Sequence, residues 1–544
     1  MQKKSGDCSL NVHVRWYEKL HNWDQALDLY SKKLEVDPQD FDSKMGMMRC
    51  LEAMGEWRKL YTITTEQWDS MADDIKKKSA KIAAAASWGL QEWDSMKKYV
   101  DCMPEDTQEG AFYRAILSIH DGQWSESRHF VDTARNLLDA ELSAVVGENY
   151  QRAYGALVNA QLLTELEEVV TYKLVEERRG IIHRTWWNRL QGGQRLVEDW
   201  RKMLQIRSLV LTPREDFQTW LKFASLCRKT GAVNQAHKIV LSILGCDPAT
   251  NPDVLLRVQD PRIVLAYSKI LWYAGNKRYA YDVLQRLVDN SEPENEDQCR
   301  LLARCHLKLG SWCESLQEIN ELSIPEILRN YTSATFYAPD WYKACHAWAC
   351  MNFETVLFYK QQDNISESST AGGSGEKKIS RAEFINTYTI PAIEGFFKSI
   401  SLSNGSSLQD TLRLLTLWFD HGHHPAIYDA LFEGIRQIDV KIWLQVIPQL
   451  IARIDSPRSL VAKLVHILLI DIGKLHPQAL VYPLTVATKS SFVTRKAAAN
   501  YILKTMSSHS QRLVNEAAII SEELIKVAML WHDQVYTALD DASR

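Results

Sequence analysis

Basic side chains recur on consecutive predicted helices in the middle of the chain, and such a group could bind a polyanion. The set consists of Lys222, Lys229, Lys269, Arg304, Lys308 and Lys343. Arg304 and Lys308 are four residues apart, so a helix would place them on one face. Ammonium and guanidinium groups bind phosphate oxygens through charge-assisted hydrogen bonds. Spacing alone does not bring the six side chains together, and separate solvated residues are the alternative.

A second basic group surrounds an adjacent pair of tryptophans, Trp186 and Trp187. Its members are Arg178, Arg179, Arg184, Arg189 and Arg195. Interleaved basic and aromatic residues occur at sites for single-stranded nucleic acid, where bases stack on the rings. Acidic residues in the same stretch favour a solvated helix face over a buried Trp pair. They are Glu176, Glu177, Glu198 and Asp199. We therefore expect no nucleic-acid partner.

Motifs for catalysis or metal binding are weak in this sequence. Gly372–Gly375 is glycine-rich but lacks the spacing of a phosphate-binding loop, and a flexible linker is the preferred interpretation. His421, His423 and His424 could ligate a metal. No cysteine or acidic partners lie at suitable spacing, which favours a helix-connecting loop. We expect no catalytic residue and no metal site.

Composition excludes several classes of protein. Among 544 residues, Lys plus Arg number 64 and Asp plus Glu 68, a net charge of −4 that excludes a globally basic nucleic-acid binder. The apolar runs fall short of the ~18 residues that span a bilayer, so no transmembrane segment is expected. The ten cysteines contain no Cys-x-x-Cys. The nearest to a cluster, Cys299, Cys305 and Cys313, indicate small buried residues in a reducing compartment, the cytoplasm.

The elements that must position these residues are predicted to be helical repeats. Gly (23) and Pro (15) are few for this length, which favours helices. Four tryptophans each follow a predicted turn between two helices, an arrangement that we call the Trp turn. They are Trp23, Trp57, Trp93 and Trp124, at intervals of 34, 36 and 31 residues. A period near 34 is typical of tetratricopeptide-like helical pairs, in which Trp would open the second helix. The same turn is predicted at Gly231, Gly275 and Gly310.

The second half of the chain keeps a helical pattern but loses the Trp turn. Four segments are predicted as paired antiparallel helices of the HEAT type: Leu408–Trp418, Ile442–Ile454, Leu460–Ile472 and Ala479–Ala487. The polar stretch Gln361–Lys378 predicts a disordered insertion. Val514–Ala542 is predicted to form one long amphipathic helix.

The predicted fold class is therefore all-α, an α-solenoid of TPR-like helical pairs followed by HEAT-like repeats. The expected divisions are an unmatched N-terminus at 1–15, a TPR-like array at 16–360, the insertion at 361–380, a HEAT-like part at 381–513 and a final helix at 514–544. Each repeat of such an array is expected to touch only its neighbours.

Several motifs resemble one known family. They are Gly110–Ala115, Leu408–Arg413, Leu417–Asp420, Trp443–Asp455 and His476–Ala487. They closely resemble the FAT domain of the target-of-rapamycin (TOR) kinases, which are phosphatidylinositol-3-kinase-related protein kinases. The resemblance runs from about Trp16 to Arg544, and Ser521–His532 is similar to the first helix of the FKBP–rapamycin-binding domain. Val535 departs from it, since the family usually has Trp there.

The resemblance implies a role as the regulatory scaffold of an ATP-dependent serine/threonine protein kinase in nutrient-responsive growth signalling. The kinase domain, with its ATP and Mg sites, would lie outside this chain, which is expected to be a fragment and not itself an enzyme. Implied partners are that kinase domain, a second TOR copy, Raptor, Rictor and a WD40 subunit. The implied location is cytoplasmic, with peripheral association with endolysosomal membranes through partners, and the nucleus as an alternative.

The resemblance also implies a basic pocket for inositol hexakisphosphate as a structural ligand. On matching positions the pocket residues are Lys229, Lys269 and Arg304, with Lys222, Lys308, Lys343 and Arg195 nearby. Tyr273 stands where the family has another lysine.

Two alternatives share most of these features. One is an independent helical-repeat adaptor that binds peptides in a concave groove, and the other is a kinase-dead TOR-like decoy for accessory subunits. An adaptor should end in a polar capping helix. The last predicted helix instead has an apolar face that includes Leu524, Val527, Leu530 and Trp531.

Overall fold

The computed structural model describes residues 14–38, 40–69, 71, 73–147, 149–250, 253–256, 258, 260–368, 381–403, 405, 407–528 and 531–543. Within these ranges the chain consists of helices and their connections and contains no strand, so the predicted all-α class is confirmed. No helix in this part of the chain combines the length and the hydropathy needed to cross a membrane.

Two compact units divide the chain, Met1–Val283 and Leu284–Arg544. The helices of the first unit are α1 Val14–Lys19, α2 Trp23–Val36, α3 Phe41–Met54, α4 Trp57–Trp68, α5 Asp73–Leu90, α6 Trp93–Asp101, α7 Gln108–His120, α8 Trp124–Val146, α9 Tyr150–Leu174, α10 Arg179–Gly192, α11 Val197–Arg207, α12 Phe217–Lys229, α13 Val233–Leu244, α14 Asp253–Leu256, α15 Pro261–Tyr273 and α16 Lys277–Asp289, which crosses the division. A 3₁₀ turn, Glu176–Arg178, precedes α10.

The helices of the second unit are α17 Glu296–Leu316, α18 Ser323–Tyr337, α19 Tyr342–Ser368, α20 Arg381–Phe384, α21 Ile390–Leu402, α22 Leu408–His421, α23 Pro425–Gln437, α24 Val440–Trp443, α25 Ile447–Ala452, α26 Ser459–Leu475, α27 Pro477–Thr488, α28 Val493–Ala528 and α29 Trp531–Ser543. A π-turn, Ile385–Thr389, leads into α21, and a 3₁₀ turn, Leu444–Val446, lies between α24 and α25. Trp418, Trp443 and Phe396 are fully buried in its core.

The predicted Trp turn is confirmed at the start of the second helix of each of the first four pairs. Helices α2, α4, α6 and α8 begin at Trp23, Trp57, Trp93 and Trp124. The residue two positions before each Trp has a positive φ, which ends the preceding helix in a left-handed conformation. In the second turn, the N–H of Glu56 donates to the carbonyl oxygen of Leu51 at 2.9 Å, which is the Schellman bond.

The same turn occurs at Gly231 and Gly275, with φ values of +91° and +96°, but the turn predicted at Gly310 was wrong. Helix α17 continues through Gly310 and Trp312 to Leu316. A Cβ at Gly310 would lie 2.5 Å from Cε1 of Tyr331 on α18. Glycine is therefore needed here because two helices approach each other closely. In the sequence, a glycine of this kind cannot be distinguished from one that forms a turn.

Contacts in the first unit join its first helices to its later ones, so the expectation that each repeat touches only its neighbours was wrong. Arg201 on α11 donates to the carbonyl oxygens of Glu52 (2.6 Å) and Ala53 (2.9 Å) at the end of α3. Lys238 on α13 pairs with Glu56. Curvature of the stacked pairs brings these helices together. We call the contact of α3 and the start of α4 with α11 and α13 the seam, and cavities of about 330 and 580 Å³ lie along it.

In the second unit the predicted helices after residue 407 are present, with one correction. The segment predicted as a helix over Ile442–Ile454 forms two short helices, α24 and α25, joined by the 3₁₀ turn. Pro448 explains the interruption, because proline has no N–H to donate to the carbonyl oxygen of Leu444 and its ring clashes with that carbonyl group.

The first eight residues of the stretch predicted as an insertion are helical. Helix α19 continues to Ser368, eight residues into Gln361–Lys378, and the Gln and Glu residues of this stretch are good helix formers. Residues 369–380 lie outside the described part. The division between the compact units is at Val283 and Leu284, whereas the predicted change of repeat type at the insertion falls within the second unit.

The helix predicted to begin at Val514 follows a kink in the structure. Helix α28, Val493–Ala528, consists of two helical segments that meet at Ser510, where φ is −140° and ψ is 50°, so the second segment begins close to the predicted start. It ends at Ala528, and α29 follows from Trp531. Residues 529 and 530, and with them Leu530 of the predicted apolar face, lie outside the described part.

Candidate polyanion-binding surface

Helix α12 presents two of the predicted basic residues on its solvent face. Lys222 and Lys229 are seven residues apart, two helical turns, and both are exposed. The opposite side of α12 is buried through Phe223, Ala224 and Cys227. The local sequence fixes this orientation, because the apolar positions must face the neighbouring helices.

Lys222 connects the two basic groups that the sequence suggested. Its ammonium group lies 4.1 Å from the centre of the Trp187 ring and donates to Oε1 of Gln191 at 2.8 Å. Partial burial and the positive charge of Arg195 lower the pKa of Lys222. Two like charges are therefore held close together, and an anion bound beside them would relieve the repulsion.

Helix α15, which packs against α12, carries Lys269 and Tyr273 one turn apart. Lys269 is half-buried, whereas Tyr273 is 59% exposed. The guanidinium carbon of Arg228 lies 4.4 Å from the centre of the Tyr273 ring, a cation–π contact. Although Tyr273 replaces the lysine that the resemblance implies, Arg228 supplies a positive charge at this position.

The remaining three predicted residues belong to the second unit. Arg304 is exposed and Lys308 half-buried on α17, and the intervening Cys305 is buried, so their predicted position on one helix face is confirmed. Lys343 is exposed in the first turn of α19. The first unit thus holds Arg195, Lys222, Lys229 and Lys269, and the second unit holds the other three.

Most of these cations have no acidic partner. Within the described part of the chain, six of them form no ion pair with a carboxylate: Arg195, Lys222, Lys229, Arg304, Lys308 and Lys343. Elsewhere, basic residues such as Arg135 and Lys360 pair with Glu167 and Asp420 at 2.8 and 2.6 Å. No carboxylate in this part of the chain neutralises the charge of these six side chains, which suits them to an external anion, although Lys222 also donates to Gln191.

Arg189, one of the arginines around Trp186, has a structural role, and the interpretation as a helix face over a buried Trp is confirmed for Trp186. Its indole N–H donates to Glu168 at 2.7 Å, and Arg189 pairs with both Glu165 and Glu168. The buried Arg207 also binds Glu165, at 2.7 Å. Trp186 is only 1% exposed, so its ring is not available to stack on a base.

The other sequence motifs are also structural. His421 ends α22 and His424 precedes the first residue of α23, so the predicted helix-connecting loop is confirmed. Burial lowers the pKa of His421 to about 4. Cys305 and Cys313 are buried, as predicted, whereas Cys299 is half-buried. Gly372–Gly375 lies outside the described part.

Comparison with known proteins identifies a FAT domain in this chain. A family model described as the FAT domain matches residues 80–416. A model described as serine/threonine-protein kinase ATR-like, HEAT repeats, matches residues 426–522. The fold is also similar to a solved structure, the FAT and kinase domain of CtTel1, with a TM-score of 0.64 and 16% identity over 92% of this chain and 38% of that one.

The curated relatives are considerably longer than this chain. Serine/threonine-protein kinase mTor of Drosophila melanogaster is 49% identical over 551 residues, which cover 98% of this chain and 22% of the relative. Serine/threonine-protein kinase TOR of Arabidopsis thaliana is 38% identical over 98% of this chain and 23% of its own length. The chain thus spans about a fifth of the length of these relatives. Because the FAT model covers more than half of the sequence, the chain belongs to the FAT domain family.

Proposed function

We propose that this chain is the non-catalytic regulatory scaffold of a TOR serine/threonine protein kinase. The observation that carries the proposal is its 49% identity, over 98% of the chain, to 22% of such a kinase. Phosphoryl transfer with ATP and Mg²⁺ then belongs to the rest of the protein, and this chain contributes no catalytic residue. Stacked helical pairs suit the role because they present extended surfaces to other domains.

In this proposal the chain clamps the kinase domain and supports dimeric complexes with Raptor, Rictor and the WD40 subunit. Helices α28 and α29 offer an apolar surface for the intramolecular contact. Its exposed members are Ile520, Leu524, Val527, Trp531 and Leu539. Ile520, Leu524 and Val527 follow helical spacing, and Val527 is 83% exposed. Apolar side chains grouped in this way mark interaction sites.

The test uses the full-length kinase that carries this chain, with Leu524→Asp and Val527→Asp combined. We expect a severalfold change in kinase activity toward a protein substrate. The control combines Glu523→Gln with Lys526→Gln, which pair with each other at 2.8 Å on the same helix. Unchanged activity and unchanged co-purification of the complex subunits in the Asp variant would overturn the proposal and favour an independent adaptor.

We further propose that the basic residues bind inositol hexakisphosphate. The support is the six cations without a carboxylate partner in the described part of the chain and the lowered pKa of Lys222 beside Arg195. Phosphate groups suit this surface because each carries several acceptor oxygens, and Lys and Arg donate charge-assisted hydrogen bonds to them. A bound polyanion would offset repulsion among the side chains, so we assign it a structural role.

Thermal unfolding and calorimetry of the chain with inositol hexakisphosphate test this proposal. Ligand at 100 times its Kd should stabilise the binding unit by about 2.7 kcal/mol. Lys222→Gln with Lys229→Gln should weaken binding at least ~10-fold, or about 1.4 kcal/mol. Arg304→Gln with Lys308→Gln tests the second unit separately.

The control variant, Lys77→Gln with Lys97→Gln, removes the same charge from two exposed lysines of the first unit. It should bind as the parent chain does. Inorganic tripolyphosphate serves as a second probe, because equal affinity for it would indicate general attraction to anions rather than a site. The proposal is overturned if a large excess of inositol hexakisphosphate does not raise the unfolding temperature.

A further inference from the structure

Three side chains with metal-binding atoms meet in the second unit, where α19 packs near the start of α22. His346 and Cys350 are four residues apart on α19, and Asp410 lies in the first turn of α22. One donor atom from each lies within 4.8 Å of the other two. Nδ1 of His346 is 2.9 Å from Oδ2 of Asp410, and Nε2 is 3.6 Å from Sγ of Cys350.

The carboxylate of Asp410 has one oxygen without a hydrogen bond. Its side chain is 2% exposed. Oδ2 accepts from Oγ of the buried Ser399 at 2.6 Å and faces His346. Oδ1 is buried and receives no hydrogen bond from the described residues. A buried acceptor without a hydrogen bond costs about 1–3 kcal/mol. The charged group beside this oxygen is Arg413, whose NH1 lies 3.6 Å away, beyond hydrogen-bond distance.

We propose that His346, Cys350 and Asp410 form a binding site for a divalent transition-metal ion of the zinc class. The set offers one imidazole nitrogen, one sulfur and one carboxylate oxygen, the three donor types that zinc accepts. Three protein ligands leave the fourth tetrahedral position to water. The ion would strengthen the link between α19 and α22, which are already joined by the contacts of His346 with Asp410 and of Lys360 with Asp420.

Arg413 competes with a metal ion for the donor atoms of Cys350 and Asp410. Its NH1 group lies 3.3 Å from Sγ of Cys350 and 3.6 Å from Oδ1 of Asp410. A metal ion therefore binds only when Arg413 turns away from both groups. The Arg413 side chain is 34% exposed, so it can turn toward solvent.

Cobalt(II) titration of the whole chain tests the site, because a thiolate ligand gives a charge-transfer absorption band. We expect a band that saturates at one equivalent and disappears when Zn²⁺ is added. Cys350→Ser should abolish it, and His346→Gln should weaken binding at least ~10-fold. Cys246→Ser is the matched control, since this exposed free thiol lies in the first unit.

Arg413→Gln gives a test that does not depend on loss of function. Removing the competing cation should tighten cobalt binding and increase the rise in unfolding temperature caused by Zn²⁺. Far-UV circular dichroism verifies that each variant is folded. The proposal is overturned if neither the parent chain nor Arg413→Gln gives a thiolate band. It is equally overturned if Cys350→Ser keeps the band, in which case Arg413 and His346 alone neutralise Asp410.

Discussion

At the scale of single residues, Arg201 shows how backbone carbonyl oxygens of the first unit satisfy a half-buried cation. Its guanidinium donates to the carbonyl oxygens of Glu52 and Ala53 and lies 5.3 Å from the centre of the Trp57 ring. Burial lowers its pKa. The carbonyl groups at the end of α3 carry the partial negative charge of the helix dipole, so they suit a cation.

Replacing Arg201 with Met should destabilise the first unit by about 1–3 kcal/mol, because two partly buried carbonyl oxygens lose their donor. The measurement is hydrogen exchange in α3 and α11, together with the thermal midpoint. Arg58→Met, at an exposed arginine on α4, is the control and should have little effect. Equal losses in the two variants would show that Arg201 does not hold the seam.

His421 should make the second unit sensitive to acid. Burial lowers its folded-state pKa to about 4, whereas the unperturbed value is about 6.5. The neutral imidazole therefore contributes stability that is complete above pH 6.5 and is lost as the pH falls toward 4. Asp420 partly opposes the lowering, whereas Lys360, His424 and His423 add to it.

Thermal midpoints of the parent chain and His421→Asn, measured from pH 7 to pH 4.5, test this. The variant should lose less stability on acidification, because it has no group to protonate at this position. The difference between the two curves removes the contribution of other carboxylates and histidines. Parallel curves would contradict the prediction.

At the scale of elements, the repeated turn uses a left-handed residue whether or not the sequence supplies glycine. Gly55 and Gly122 adopt φ values of +68° and +76°, but His21 and Gln91 occupy the equivalent positions at +54° and +62°. A side chain with a Cβ is strained in this conformation. The turns at His21 and Gln91 therefore keep the spacing of the repeats, although neither residue is glycine, which suits this conformation best.

Gln91→Gly should therefore stabilise the first unit by about 0.5–1 kcal/mol, because glycine adopts the left-handed conformation without strain. Gln91→Ala is the matched comparison and should not stabilise, since alanine keeps the Cβ. Gly55→Ala should destabilise for the same reason. Thermal unfolding measures all three. A gain for alanine equal to that for glycine would mean that strain at φ is not responsible.

At the scale of the whole first unit, the seam joins repeats that are distant in sequence. We therefore expect these repeats to unfold together. Lys238 pairs with Glu56 across 182 residues of sequence, at the turn before α4. Glu56→Lys should weaken the seam by about 1 kcal/mol, the upper range for an exposed pair, and speed hydrogen exchange about fivefold in α4 and α13. Lys238→Glu in that background should restore part of the loss.

Glu92→Lys is the control for this exchange of charges. Glu92 precedes α6 as Glu56 precedes α4, so its substitution changes the same helix start without touching Lys238. Exchange that increases only in α4, with α13 unaffected, would mean that the seam does not couple the two parts of the unit.

The sequence by itself determined the helical class and most of the repeat boundaries. Each Trp turn depends on hydrogen bonds within six residues, as between Glu56 and Leu51, so the local residues are sufficient to specify it. The buried face of α12 followed from its own apolar spacing, which placed Lys222 and Lys229 in solvent. The two basic groups were visible as residues, but their meeting at Lys222, Trp187 and Arg195 was not.

Only the tertiary structure decided which distant residues meet. Gly310 was predicted to form a turn, whereas in the structure it lies within a helix and allows the ring of Tyr331 to approach closely. The seam joins Arg201 to Glu52 across 149 residues, and His346 reaches Asp410 across 64. The physical reason is that small rotations between successive helical pairs accumulate along the array. Turn chemistry fixes each helix start, but the summed curvature decides whether the repeats close on themselves and which side chains share a buried site.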